Sequence, residues 1–165
     1  MIILYKVIYD TGFLKFGLVI AFKKISSGIF KNLRLYDDNA VNICFNKELA
    51  AKIYSSSDIY LMPSKSEPCG LSQLIAMRYG TVPVVNETGG LKDTVIPFIA
   101  SEGTGLGFTF QSYNKDDMLG ALRRALEIYG GDKELWQKVV YNDMTNDVSW
   151  DKPAAQYLDL YGRLL

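Results

Sequence analysis

The chain has 165 residues, 48% of them hydrophobic and 22% charged, with 18 basic and 18 acidic side chains in balance. This suits one domain with a real core, and zero net charge gives no support for nucleic acid or an anionic membrane as partner. Histidine is absent and the only cysteines are Cys44 and Cys69, which removes histidine triads and most transition-metal sites, leaves no disulfide framework or zinc motif, and suggests a reducing, cytoplasmic setting.

Residues 1–22 are rich in aliphatic and aromatic side chains, but Lys6, Asp10 and Lys15 interrupt them. No apolar run approaches the roughly 20 residues of a membrane helix, and no small-residue cleavage site follows. Two buried strands are expected, about Ile2 to Ile8 and Leu18 to Phe22, with a turn at Asp10-Thr11-Gly12. A short helix follows within Lys23 to Tyr36, then a turn at Asp37-Asp38-Asn39, a strand at Val41 to Phe45 and a helix at Lys47 to Tyr54.

The central stretch, residues 58–95, reads as strand, loop, helix, strand, glycine turn, helix. Ile59 to Met62 is a strand stopped by Pro63. Leu71 to Tyr79 has apolar residues at 71, 74, 75 and 79, which predicts a helix, and Gly80 supplies its left-handed end. Val82 to Val85 is a second strand, and Thr88-Gly89-Gly90 opens another helix. After a glycine-bearing loop at 101–107, Phe108 to Phe110 is the last strand. Asn114 is the expected cap of a helix ending at Gly130-Gly131, Asp132 caps Lys133 to Met144, and Ser149 caps the final helix. Tyr157, Leu160, Tyr161 and Leu164 form its apolar face, and Trp150 and this helix are expected to brace the domain. Alternation of strands and helices argues for an α/β fold, a doubly wound parallel sheet.

Two strand-to-helix loops therefore lie together at the carboxyl ends of parallel strands, where open α/β sheets bind ligands. The first holds a single carboxylate, Glu67, and leads into Cys69-Gly70-Leu71, where a helix start offers unpaired backbone N–H groups. The second holds Thr88, Gly89 and Gly90, whose missing Cβ atoms admit a ligand close to the backbone. Each loop also reads as a plain helix start with no ligand, and Gly90 as a packing glycine. Cys69 has no basic neighbour to activate it and reads as a packing residue. Lys65 either meets a phosphate or is solvated. Phe45, at a strand end, either stacks on a base or belongs to the core.

PSKSEPCGLSQLIAMRYGTVPVV followed by NETGGLKDTV, with FNKELAAKIYSSSDIYLMPS upstream and VSWDKPAAQYLDLY near the end, resembles the C-terminal donor-binding domain of bacterial glycogen synthases and plant starch synthases. The resemblance begins near Asn42; residues 1–41 diverge. It implies the C-terminal half of a GT-B glycosyltransferase, here as one nucleotide-sugar-binding domain over 1–165. It implies transfer of glucose from ADP-glucose to the non-reducing end of an α-1,4-glucan, with retention and without a metal or other cofactor. In that family the glutamate matching Glu67 serves the donor glucose and the charge that develops at its reacting carbon. The loops matching Lys65, Cys69, Gly70 and Leu71, and Thr88, Gly89 and Gly90, hold diphosphate and glucose; an aromatic at the Phe45 position faces adenine. Several family features are missing: the acceptor-side Lys-x-Gly-Gly-Leu motif, its histidine, the Arg of an Arg/Lys phosphate pair, and a Gly-x-Gly-Asp segment. A second glutamate used by related enzymes would fall at Ile75, which fits the synthase branch. The expected partners are ADP or ADP-glucose, with the glucan reached only through an acceptor domain, and a partner chain or self-association. Two other readings stand beside this one: a non-catalytic binding or assembly module, and an unrelated doubly wound domain for another nucleotide.

Overall fold

The computed structural model describes residues 2–6, 19–22, 40–43 and 46–164. Among the described residues six strands form one sheet: β1 (Ile2–Lys6), β2 (Val19–Phe22), β3 (Ala40–Ile43), β4 (Ile59–Met62), β5 (Val82–Asn86) and β6 (Phe108–Phe110), in spatial order β3-β1-β2-β4-β5-β6. β4, β5 and β6 are parallel, with Ile59 opposite Val82 and Val84 opposite Phe108. β1 and β3 are also parallel to each other. β2 is the exception to the expected all-parallel sheet, pairing antiparallel with β1 on one side and β4 on the other. The anticipated helix within 23–36, the turns at 10–12 and 37–39, and Phe45 lie outside the described residues.

β4 and β5 are buried along their whole length, as expected of central parallel strands covered on both faces. Pro83 is tolerated inside β5 for a geometric reason. Val82 N–H donates to Asp58 O on the β4 side, so the next residue points toward β6. The β6 ladder begins only at Val84 and Phe108, so the donor that proline lacks has no place to fill.

The helices are α1 (Lys47–Ser56), α2 (Ser72–Arg78), α3 (Gly90–Thr94), α4 (Lys115–Gly131), α5 (Lys133–Thr145) and α6 (Asp151–Gly162). On one face of the sheet Tyr60, Met62 and Val85 pack against Tyr54 of α1, Ala76 and Met77 of α2 and Leu91 of α3. On the other, Ile59, Leu61, Val82, Val84, Phe108 and Phe110 pack against Ala121 and Ala125 of α4 and Trp136 and Val139 of α5. Tyr129 of α4 donates to Asp58 Oδ2 at 2.9 Å, tying α4 to the start of β4. Burial, then the Asp58 carboxylate, pushes the Tyr129 hydroxyl above its ordinary range.

Capping at Asn114 and Asp132 is as the sequence predicts, whereas α6 has Trp150 at its cap position with no side-chain cap bond, and Ser149 Oγ lies only at 3.4 Å from Asp151 N. Asn46 Oδ1 accepts from Leu49 N, Asn114 Oδ1 from Asp116 N and Asp117 N, and Asp132 Oδ1 from Leu135 N. Three further expectations are corrected. α4 does not stop at Gly130-Gly131 but runs through both to Asp132, whose extended backbone breaks the helix and caps the next. α2 buries Gln73, Ala76 and Met77 and leaves Leu71, Ile75 and Tyr79 exposed, so the apolar stripe read from the sequence mostly faces outward. α6 buries no residue, and Trp150 is 77% exposed, so this end does not brace the described part of the domain.

Candidate functional site

The two loops expected to carry function follow β4 and β5, neighbouring parallel strands, and they touch through their backbones. Gly90 N–H donates to Glu67 O at 3.1 Å. A Cβ at Gly89 would lie 2.0 Å from Glu67 O, and one at Gly90 would lie 2.0 Å from Cys69 O. Gly89 also has φ 48°, ψ −134°, a conformation that glycine alone adopts readily. The glycine pair is thus required by contact between the loops, before any ligand is considered.

Two side chains add to this contact. Asn86, at the end of β5, donates from Nδ2 to Ser64 O at 2.9 Å, and both residues are buried. Gln73 is fully buried in α2; its Nε2 donates to Gly70 O at 2.8 Å and to Thr94 Oγ1 at 3.0 Å. Thr94 in turn donates to Gly90 O at 2.6 Å. Neither Asn86 nor Gln73 stood out in the sequence. A glutamine in a helical stretch has no local signature, and the Thr94 it meets is 21 positions away.

The predicted residues fall as follows. Glu67 is half-buried, with its backbone oxygen on Gly90. Lys65, Cys69 and Leu71 are exposed, Gly70 is half-buried with φ 70°, Thr88 and Gly90 are half-buried, and Gly89 is exposed. The structure therefore brings Glu67, Cys69, Thr88, Gly89 and Gly90 into one loop pair. Phe45 lies outside the described residues. The helix starts differ. α2 begins at Ser72, and Leu71 in its cap position offers no side-chain cap, so first-turn amides remain for an anion. At α3 the amides are engaged: Thr88 N with Asn86 O, Gly90 N with Glu67 O, Leu91 N with Thr88 O and Lys92 N with Gly89 O. Close backbone approach there is limited to the Gly89 side.

Among the described residues no group of three or more histidine, cysteine or acidic side chains could hold a metal ion, and no helix is long and apolar enough to cross a membrane. A cavity of about 280 Å³ lies nearby, between Pro63 and Phe110 at the carboxyl edge and Tyr113 to Lys115 and Met118 of the α4 start. It contains none of the residues predicted for function.

Comparison with known proteins places the chain in a family. Residues 34–142, more than half of the chain, match the family of glycosyl transferases group 1. The chain is 54% identical over 126 residues to a glycogen synthase of Caldicellulosiruptor saccharolyticus, covering 76% of this chain and 26% of the relative. It is 50% identical over 139 residues to that of Kosmotoga olearia, covering 83% and 29%. Among solved structures it is similar to the catalytic domain of starch synthase IV from Arabidopsis thaliana bound to ADP and acarbose, with TM-score 0.70, 38% identity, and coverage of 79% of this chain and 27% of that one. The chain thus spans about a quarter of the glycogen synthases that it matches. It belongs to the group 1 glycosyl transferases, and its matched part is similar to the C-terminal GT-B domain of glycogen and starch synthases.

Proposed function

We propose that the loop pair 64–71 and 87–90 binds ADP-glucose, and that the chain acts as the donor side of a retaining α-1,4-glucan synthase. One observation carries this: Glu67 and the uncapped start of α2 follow the carboxyl end of β4, on a loop held against Gly89 and Gly90 at the carboxyl end of the parallel β5. Family membership and the ADP in the starch synthase relative add support. In this reading the first-turn amides of α2 and Lys65 meet the diphosphate, and Gly89 lies along the sugar. As the bond to the diphosphate lengthens, positive charge develops on the sugar carbon, and the Glu67 carboxylate stabilises it. No metal is needed, because amides and basic side chains neutralise the phosphates. Phe45 stacks on adenine, and the protein works in the cytoplasm.

Titration calorimetry with ADP, UDP and GDP tests the binding. A preference for ADP supports the reading, and Phe45→Ala should weaken ADP by roughly 1 kcal/mol if the ring stacks. Failure of all three nucleotides to bind at millimolar concentration overturns it.

A second reading, a binding or assembly module, has its own observation. Tyr157, Leu160, Tyr161 and Leu164 of the α6 end are each at least half exposed. Such a surface recruits either a second copy of the chain or an acceptor-domain polypeptide.

A further inference from the structure

We propose that Gln73 and Thr94 form a lock that sets the spacing of the two loops, which makes Gln73 a positioning residue for the donor site; this rests on the donor reading above. The lock is a chain of hydrogen bonds with one consistent proton arrangement. Thr94 has a single hydroxyl proton, and it lies on Gly90 O at 2.6 Å. Its oxygen is then an acceptor, so the amide that meets it at 3.0 Å must present Nε2. The same Nε2 reaches Gly70 O at 2.8 Å, with Cys69 O at 3.4 Å. A carbonyl of the first loop is thereby joined to a carbonyl of the second through two side chains. This link lies beside the Gly90 to Glu67 backbone bond, so it also holds the backbone that carries the carboxylate.

Stability alone is a poor reason for an amide here. Gln73 is fully buried, and its Oε1 has no hydrogen-bond partner among the described residues. An unpartnered buried oxygen is destabilising, whereas an apolar side chain of similar length would fill the space without it. What the apolar side chain lacks is the link. Gly70 is part of the same device: a Cβ there would lie 2.5 Å from Gln73 Oε1 and 2.7 Å from Nε2, displacing the amide.

The test uses the 165-residue chain with Gln73→Met, which keeps length and loses the donors, Thr94→Val, which keeps shape and loses the hydroxyl, and Thr94→Ser, which restores it. Two quantities are read: hydrogen exchange of the Gly90 amide, with the Val84 amide as a core control, and ADP affinity. Gln73→Met and Thr94→Val should each speed Gly90 exchange and weaken ADP by about tenfold while Val84 stays protected. Thr94→Ser should return both to wild type. If both variants keep wild-type Gly90 exchange and ADP affinity, there is no lock. If Gln73→Met does not fold, the Thr94→Val and Thr94→Ser pair decides. A wild-type chain that binds no ADP defeats the donor reading, and Gly90 exchange then still judges the lock.

Discussion

A methyl group added at Gly90 would sit 2.0 Å from the Cys69 backbone oxygen, while one added at Gly130 meets nothing within 4 Å. The two substitutions should therefore have opposite signs. Gly90→Ala forces two backbones apart and should cost roughly 3 kcal/mol, the upper end of the usual overpacking range. Gly130→Ala lies inside α4 and should add roughly 0.5–1 kcal/mol by reducing unfolded-chain freedom. Urea unfolding of both variants checks the pair. Asp143 offers a second residue-scale prediction. It is 1% exposed, neither carboxyl oxygen has a hydrogen-bond partner among the described residues, and burial raises its pKa to about 9. The folded state thus binds a proton that the unfolded state has released, across the range from about 4 to about 9. Stability falls as pH rises through that window, the reverse of the salt-bridged carboxylate. The wild-type urea midpoint should drop between pH 5 and pH 8.5, and Asp143→Asn should lose most of that slope. A flat wild-type profile would show that Asp143 is ionised or solvated in the folded chain.

At the scale of the element, α2 shows how periodicity can mark a helix and miss its face. Residues 71, 75 and 79 are apolar at a spacing of four, yet they are the exposed ones. The buried side holds Gln73, Ala76 and Met77. Ala76 and Met77 pack with Tyr60 and Met62 of β4, and Gln73 takes the turn that reaches α3. α6 differs, because none of its sides is covered among the described residues, including the apolar one. Removing residues 151–165 should shift Tm by only a few degrees, since no side chain of α6 is buried. It should also abolish any concentration-dependent association, as read by sedimentation velocity. A large loss of Tm on truncation would mean that α6 completes a core.

For the whole molecule, chemistry needs both sides of a cleft. The 165-residue chain supplies the proposed donor side, and the charge developing at the sugar would face bulk water unless an acceptor domain closes over it. Incubated alone with labelled ADP-glucose and glycogen, the chain should transfer no measurable label. Adding an acceptor-domain polypeptide of a glycogen synthase should restore transfer, and Glu67→Gln should remove it by at least about a hundredfold while leaving ADP affinity nearly unchanged. Vigorous transfer by the chain alone would contradict this division of labour.

Features that depend on neighbours within a turn or two could be read before the chain is folded. The caps at Asn114 and Asp132, the strands at 59–62, 82–85 and 108–110, and the paired loops behind EPCG and TGGL were all legible, because capping and periodicity are local. Tertiary structure alone decided the reversed direction of β2, the buried face of α2, and the Gln73 to Thr94 lock. It also decided why Gly89 and Gly90 are glycines. Their close neighbours are backbone oxygens of Glu67 and Cys69. Every residue type carries that oxygen, so no side-chain pattern announces the contact before the chain is folded.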